Sequence, residues 1–214
     1  MIYSGWDISK TATGWAVTDG KAWETGVLRC PIKPPFEMPA GAIDAGYAGA
    51  VADWLRLQIY ALVGVHRPID AVIEQPMPGN SGRTRLEVNM SADFAGQAMR
   101  RVPVGGTSFG VTHFTHGLAV QAASIFVRLG IPVVYAASQS WRSTVGIGRP
   151  PRNTKDHTKW YKEQAIAQCG LRGIPVKGAD AADAACLLIH RLAAIAPELL
   201  YRPGQLNLSK ETAA

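Results

Sequence analysis

Cysteine is scarce: three residues in 214, Cys30, Cys169 and Cys186, odd in number and widely spaced. That excludes a disulfide framework or a Cys-rich zinc site as the organising principle, and the apolar surroundings of all three predict buried, reduced thiols. Long apolar runs are lacking too. No stretch approaches the ~18 residues a membrane span requires, and the opening "MIYSGWDISK" lacks the basic, apolar and small-residue order of a signal peptide, so the expectation is a cytoplasmic protein with no membrane partner. Acidic residues number only 16 against 22 Lys and Arg, giving a formal net charge of +6. Such a balance fits a polyanionic partner, although basicity alone does not require one. Several of the few acids lie inside apolar segments, where solvation is not their obvious purpose.

What the chain does carry is 47% hydrophobic residues, enough to bury one sizeable core, and its length fits one decorated domain better than two. The expected organisation is a domain over residues 1–196, with an insertion at about 77–112, and a polar, loosely held tail over 197–214. Segments 1–8 and 12–18, rich in Ile, Trp, Tyr and Val, read as strands, and "TDGK" at 18–21 carries the Asp-Gly signal of a tight hairpin before a third strand at about 21–28. A Pro-rich loop leads to a helix of about 42–64, with Tyr47, Val51, Trp54, Leu55 and Leu62 on one stripe. "DAVIEQP", 70–76, is a short buried strand stopped by Pro76, and residues 77–112 are rich in Gly, Ser, Arg and Pro with little periodicity. A helix at about 116–129, the strand "IPVVYAAS", a basic loop at 146–155 and helices at about 155–168 and 179–195 complete the domain. An antiparallel meander followed by strands alternating with helices predicts an α/β fold: a mixed sheet flanked by helices on both faces, with a site at the carboxyl ends of its parallel strands.

The acids can be placed on that frame. Asp7 closes the first strand and Glu74 the fourth, each after an apolar run, so both project from strand ends at one edge of the sheet. An acid there is costly unless paired, hydrogen-bonded or bound to metal. Downstream, "VKGADAADAACLLIHRLAAI" puts Asp180 and Asp183 at i and i+3, about 5–6 Å apart on one face of a helix start. Taken alone, the pair is accounted for by the helix dipole, which favours first-turn acids by ~0.3–1 kcal/mol. Taken with Asp7 and Glu74, it completes a four-carboxylate set whose mutual repulsion calls for a cation. Oxygen-only ligands without a His or Cys cluster suit Mg²⁺, with Mn²⁺ as substitute, rather than zinc. Two such ions ~3.5–4 Å apart can activate a water and stabilise the departing oxygen of a phosphodiester. In a basic chain the substrate so implied is nucleic acid.

"GWDISKTATGWAV", "AVIEQP", "WRSTVGIG" and "DAADAACLLIH" resemble, in order, the four motif regions of RuvC-type Holliday junction resolvases, within the RNase H-like superfamily. The resemblance runs from about residue 2 to 195. It implies an RNase H-like fold and a crossover junction endodeoxyribonuclease in which Asp7, Glu74, Asp180 and Asp183 hold two Mg²⁺ ions. It also implies a homodimer that nicks two opposed strands of a four-way DNA junction, with the 116–129 helix nearest the interface and no small-molecule cofactor. Ser9 stands where the family usually has Gly, which predicts a wider turn, and the 77–112 insertion is longer than in typical bacterial members.

"GIGRPPRNTKDHTKWYKEQ", 146–164, places Arg149 and Arg152 in a loop and Lys155, Lys159 and Lys162 along one face of the following helix. A solvated helix surface would look the same, but beside an acid cluster these are DNA-binding candidates, and the resemblance favours Lys155 and Lys159. Arg142 can fork onto phosphate oxygens, or be a loop arginine packed on Trp141. Arg83, Arg85, Arg100 and Arg101 flank the insertion, and Phe94, Phe109 and Phe114 could wedge between bases or anchor loops to the core. His190 lies ~10 Å along the helix from Asp183, too far to ligate with it. The same residues admit other readings: an RNase H-like nuclease for RNA or another DNA, a non-catalytic nucleic-acid-binding module, or an actin-like or sugar-kinase ATP-binding domain. The last would need a second glycine-rich phosphate loop, which the chain lacks.

Overall fold

The computed structural model describes residues 1–35, 43–76, 84–88, 99–103 and 109–200, of which 84–88, 99–103 and 109–111 as backbone alone. Three strands, β1 (Tyr3–Asp7), β2 (Ala12–Thr18) and β3 (Trp23–Arg29), form the expected antiparallel meander. The second turn is set by Asp19, whose Oδ1 accepts from the backbone N–H groups of Lys21 and Ala22, and by Gly20 at φ 85°. At the first turn, Ser9 supplies hydrogen bonds that a glycine would not. The Ser9 Oγ donates to the Ala12 carbonyl at 2.7 Å and accepts from the Ala12 N–H at 3.1 Å, closing the turn with its own side chain.

Helix α1 (Ala45–His66) starts where the Asp44 carboxylate accepts from the Tyr47 N–H, and buries Tyr47, Val51, Leu55, Ile59 and Val63 at four-residue spacing. Strand β4 (Asp70–Glu74) then returns parallel to β1. Within the expected insertion, β5 (Thr84–Val88) and β6 (Met99–Pro103) pair as a separate antiparallel hairpin, so the segment is less irregular than its composition suggests. The alternation in "TRLEV" is the signal that the Gly and Arg content obscures. Helix α2 (Phe109–Arg128) begins one to two turns earlier than expected, and β7 (Val133–Ala136) pairs parallel to β4. Three helices follow: α3 (Ser138–Val145), α4 (His157–Leu171) and α5 (Ala179–Ile195). Residues 138–145 carry no expected helix, yet Ser138, Trp141 and Val145 turn inward at i, i+3 and i+7. The tail also begins in order, with a 3₁₀ turn at Pro197–Leu199 whose Leu199, with Leu200, packs against the core; the rest of it, 201–214, lies outside the described residues.

The sheet order is β3-β2-β1-β4-β7. One face carries α5, with α3 and α4 against it; the other carries α1 and α2. This is the mixed sheet covered on both faces that the chain order predicts. Among the described residues no helix is long and apolar enough to cross a membrane.

Helix α5 lies close on the sheet for a reason legible in its residues. Ala181, Ala182, Ala184 and Ala185 are fully buried and add little bulk, and opposite them stand Gly5 of β1 and Gly14 of β2. A Cβ on Gly14 would overlap the carbonyl oxygen of Asp180, and one on Gly5 the carbonyl oxygen of Ala184. At its other end α5 is held by Arg191, which forks onto the Asp70 carboxylate at 2.8 and 2.7 Å, at the start of β4. The thiols Cys169 and Cys186 are buried where α4 meets α5, their sulfurs 3.9 Å apart in a thiol–thiol hydrogen bond with no disulfide; Cys30 is also a free thiol but, unlike the expectation for all three, only half-buried.

Candidate active site

Strands β1 and β4 are parallel neighbours, with Trp6 beside Ile73, so Asp7 and Glu74 emerge side by side at their carboxyl ends. Across the β1–β2 pair Asp7 faces Gly14, the residue on which the first turn of α5 rests. That contact delivers Asp180 and Asp183 to the same edge of the sheet. The four acids expected from strand ends and helix start thus converge.

Their electrostatics show the crowding. Asp7 is held well above the ordinary carboxylate range by burial, by the charges of Glu74, Asp183 and Asp180, and by a hydrogen bond between its carboxyl and that of Glu74. Burial and the Glu74 charge raise Asp183 to about 7, against the opposing pull of Lys162 and Arg142. The carboxylates are near enough to disturb one another, yet among the described residues no three His, Cys, Asp or Glu side chains are drawn into a ready ligand cage. Lys162 reaches from α4 to place its Nζ 2.6 Å from Asp180 Oδ1.

Glu74 is oriented by residues that the strand-end pattern did not single out. Ser138 Oγ donates to Glu74 Oε1, and Trp141 Nε1 donates to the same oxygen at 3.2 Å. Both come from α3, which starts two residues after β7. Because β7 pairs with β4, with Glu74 opposite Ala136, the start of α3 lies beside that carboxylate. Only the sheet order could have revealed this.

Arg142 is a helical residue rather than a loop arginine. Its guanidinium lies 4.1 Å over the Tyr161 ring and 5.1 Å over that of Trp141, and its Nε is buried without a hydrogen-bond partner. Stacked in this way, beside Asp183, it is a fixed positive charge at the edge of the acid cluster.

The basic segment divides. Lys155 precedes Asp156, the N-cap of α4, and is therefore not on the helix face with Lys159 and Lys162; Asp156 Oδ1 accepts from the Lys159 N–H at 2.9 Å. Arg149, Arg152, Lys155 and Lys159 are exposed, and Lys159 pairs loosely with Glu163 at 3.9 Å. Lys162 is the lysine that the fold brings to the acids, ahead of the Lys155 and Lys159 that the resemblance favours. Its Asp180 hydrogen bond, with the charges of Asp180, Asp183 and Asp7, outweighs burial and raises its pKa.

Phe114 is buried 6.0 Å from the Tyr47 ring and serves as a core anchor. Phe94 and Arg83, and the side chains of Phe109, Arg85, Arg100 and Arg101, lie outside the described residues. His190 bonds through Nδ1 to Thr144 Oγ1 at 2.7 Å and takes no part in the cluster.

The donor set suits a hard divalent cation: all oxygen and partly enclosed, with four carboxyl groups facing the two cations Lys162 and Arg142. A pH dependence follows. A carboxyl whose pKa is higher folded than unfolded favours folding when protonated, so its contribution is greatest below the unfolded value and is lost as pH rises through the folded one. For Asp183 that window runs from 3.8 to about 7. Without divalent metal, the protein should therefore melt at higher temperature near about pH 5.5 than near about pH 8. Added Mn²⁺ should raise the melting point at the higher pH and far less at the lower. A calorimetric scan showing Mn²⁺ indifferent at both would remove the cation from this site.

No family model matches the sequence, and no curated protein matches it. The fold does match solved structures. Thermus thermophilus RuvC in complex with a Holliday junction substrate superposes with a TM-score of 0.56 at 13% identity, over 92% of this chain and 96% of that one. A second Thermus thermophilus RuvC structure gives 0.51 at 14% identity, over 91% and 96%. The protein therefore has the RNase H-like α/β fold of RuvC.

Proposed function

We propose that this protein is a metal-dependent, structure-selective DNA endonuclease that resolves four-way junctions or related branched DNA by paired nicks. The observation that carries the reading is the convergence of Asp7, Glu74, Asp180 and Asp183 at the carboxyl edge of this sheet, with Arg142 stacked beside them. The RuvC likeness, which includes a structure holding a Holliday junction, supports the substrate class.

In this reading the four carboxylates hold two Mg²⁺ ions, for which Mn²⁺ substitutes. When bound, the ions supply a water activated at neutral pH and a charge to stabilise the departing oxygen. Ser138 and Trp141 keep Glu74 in place for that role. Arg142 binds the phosphate being cut, its guanidinium already oriented by two rings. Arg149, Arg152, Lys155 and Lys159 track the flanking backbone, which makes affinity fall steeply with salt. Paired, symmetric cuts need two sites related by a dyad, hence a homodimer. Val120 and Val127, seven residues apart on α2 and each more than half exposed, are the apolar face we assign to its interface.

The test is cleavage in Mg²⁺ of a four-way junction, its linear duplex arm and an RNA–DNA hybrid of the same sequence. Nicks at matching positions in two opposed junction strands are expected, with the duplex resistant. Preferential cutting of the hybrid would move the protein to another branch of RNase H-like nucleases, and cutting of none would leave a binding module.

A further inference from the structure

Among the described residues, two cations, Arg142 and Lys162, face the acid cluster, and they are held differently. Arg142 lies against two rings, whereas Lys162 carries its charge on a flexible four-carbon stem whose side chain is 41% exposed. Its backbone is nonetheless fixed: Ala165 and Cys169, three and seven residues on, are buried where α4 packs on α5. The Cα of Lys162 is thus anchored at the seam between the two helices while the ammonium reaches a carboxylate that is itself 22% exposed. The contact, 2.6 Å from Nζ to Asp180 Oδ1, engages one oxygen of a carboxylate that the metal-dependent reading assigns to the ions.

We propose that Lys162 is the resident counter-ion of this site: it neutralises Asp180 in the metal-free protein, a divalent cation displaces it, and it thereby sets how tightly the site loads. This rests on the metal-dependent reading above. Competition has a definite sign. If Lys162 occupies the place of a cation, removing its charge tightens metal binding; if it merely props Asp180 in position, removing it loosens binding.

The experiment is a calorimetric Mn²⁺ titration of the full chain without DNA, with bound ion counted independently by electron paramagnetic resonance. Lys162→Met keeps the length of the stem and removes the charge, and should tighten Mn²⁺ binding on the order of tenfold. Lys162→Arg keeps the charge and should stay close to the unsubstituted protein. Unchanged or weaker binding in Lys162→Met, or equal tightening in both variants, overturns the proposal. Asp183→Asn separates the two layers of inference. If it abolishes binding while Lys162→Met behaves as the unsubstituted chain, the metal site stands and only the role of Lys162 falls. If Asp183→Asn binds Mn²⁺ undiminished, or if neither the unsubstituted chain nor Lys162→Met binds it, both readings fall together.

Discussion

Asp183→Asn should reduce nicking of a four-way junction in Mg²⁺ at least on the order of a thousandfold, equivalent to about 4 kcal/mol of barrier, while making the metal-free protein more stable. In the proposed reading, the first effect follows from losing one of four carboxylates that hold the ions. The second follows from the burial and the Glu74 charge that raise the Asp183 carboxyl to about 7. Ionising such a group in the folded state costs a few kcal/mol at most near neutral pH, roughly 1.4 for each tenfold displacement of its proton equilibrium. Asn keeps the shape and discards the charge, so a rise of several degrees in melting temperature is expected at about pH 8, shrinking toward about pH 5.5 where Asp183 is already protonated. Junction affinity measured in Ca²⁺ should hold or increase, because affinity comes from basic residues neutralising phosphates. A variant that cuts normally would return Asp180 and Asp183 to the helix dipole. A variant that cuts poorly and is less stable at both pH values would show Asp183 acting in folding rather than in chemistry.

Gly14→Ala should be the most damaging single methyl in the described protein. In an ordinary strand this change gains ~0.5–1 kcal/mol, because glycine loses the most conformational freedom on folding. Here the added carbon meets the Asp180 carbonyl of a fully packed helix, which cannot rotate aside as a side chain would. Overpacking of this kind costs about 1–3 kcal/mol or more. The displacement falls on the turn that carries both helix acids, so a shift of ~1 Å should cost cleavage about a hundredfold even in the molecules that fold. Gly49→Ala is the matched control: on α1 its Cβ would meet open space, and the variant should be as stable as the parent or slightly more so. Equal behaviour of the two variants in a denaturant titration and a nicking assay would mean that α5 is free to settle elsewhere.

Strands and acids were readable because their signals are local. Asp7 and Glu74 each end an apolar run, and the alanine-rich stretch from Ala179 to Ile195 has no competing structure to adopt, so its bounds follow from its pattern. Residues that act through the packing of separate elements were not readable in the same way. Ser138 and Trp141 matter because β7 runs beside β4, a fact of sheet order. The choice of Lys162 over Lys155 and Lys159 depends on where α4 crosses α5 and on Asp156 starting the helix only after Lys155. Gly14 looks unremarkable within "TATGW" until the helix that rests on it is known. The hairpin β5–β6 was hidden differently: its alternating strand of five residues is short enough to be outvoted by the glycines and arginines around it.

The Arg191–Asp70 fork gives α5 a fulcrum. Eight residues, ~12 Å of helix, separate Arg191 from Asp183, and the fork ties the far end of α5 to the first residue of the strand whose last residue is Glu74. Helix and strand are thus riveted at one end and mutually repelling at the other. Strand β4 therefore meets α5 through opposite charges at its first residue and through like charges at its last, so Arg191→Ala would remove an attractive ionic contact between the two while leaving the acid edge untouched.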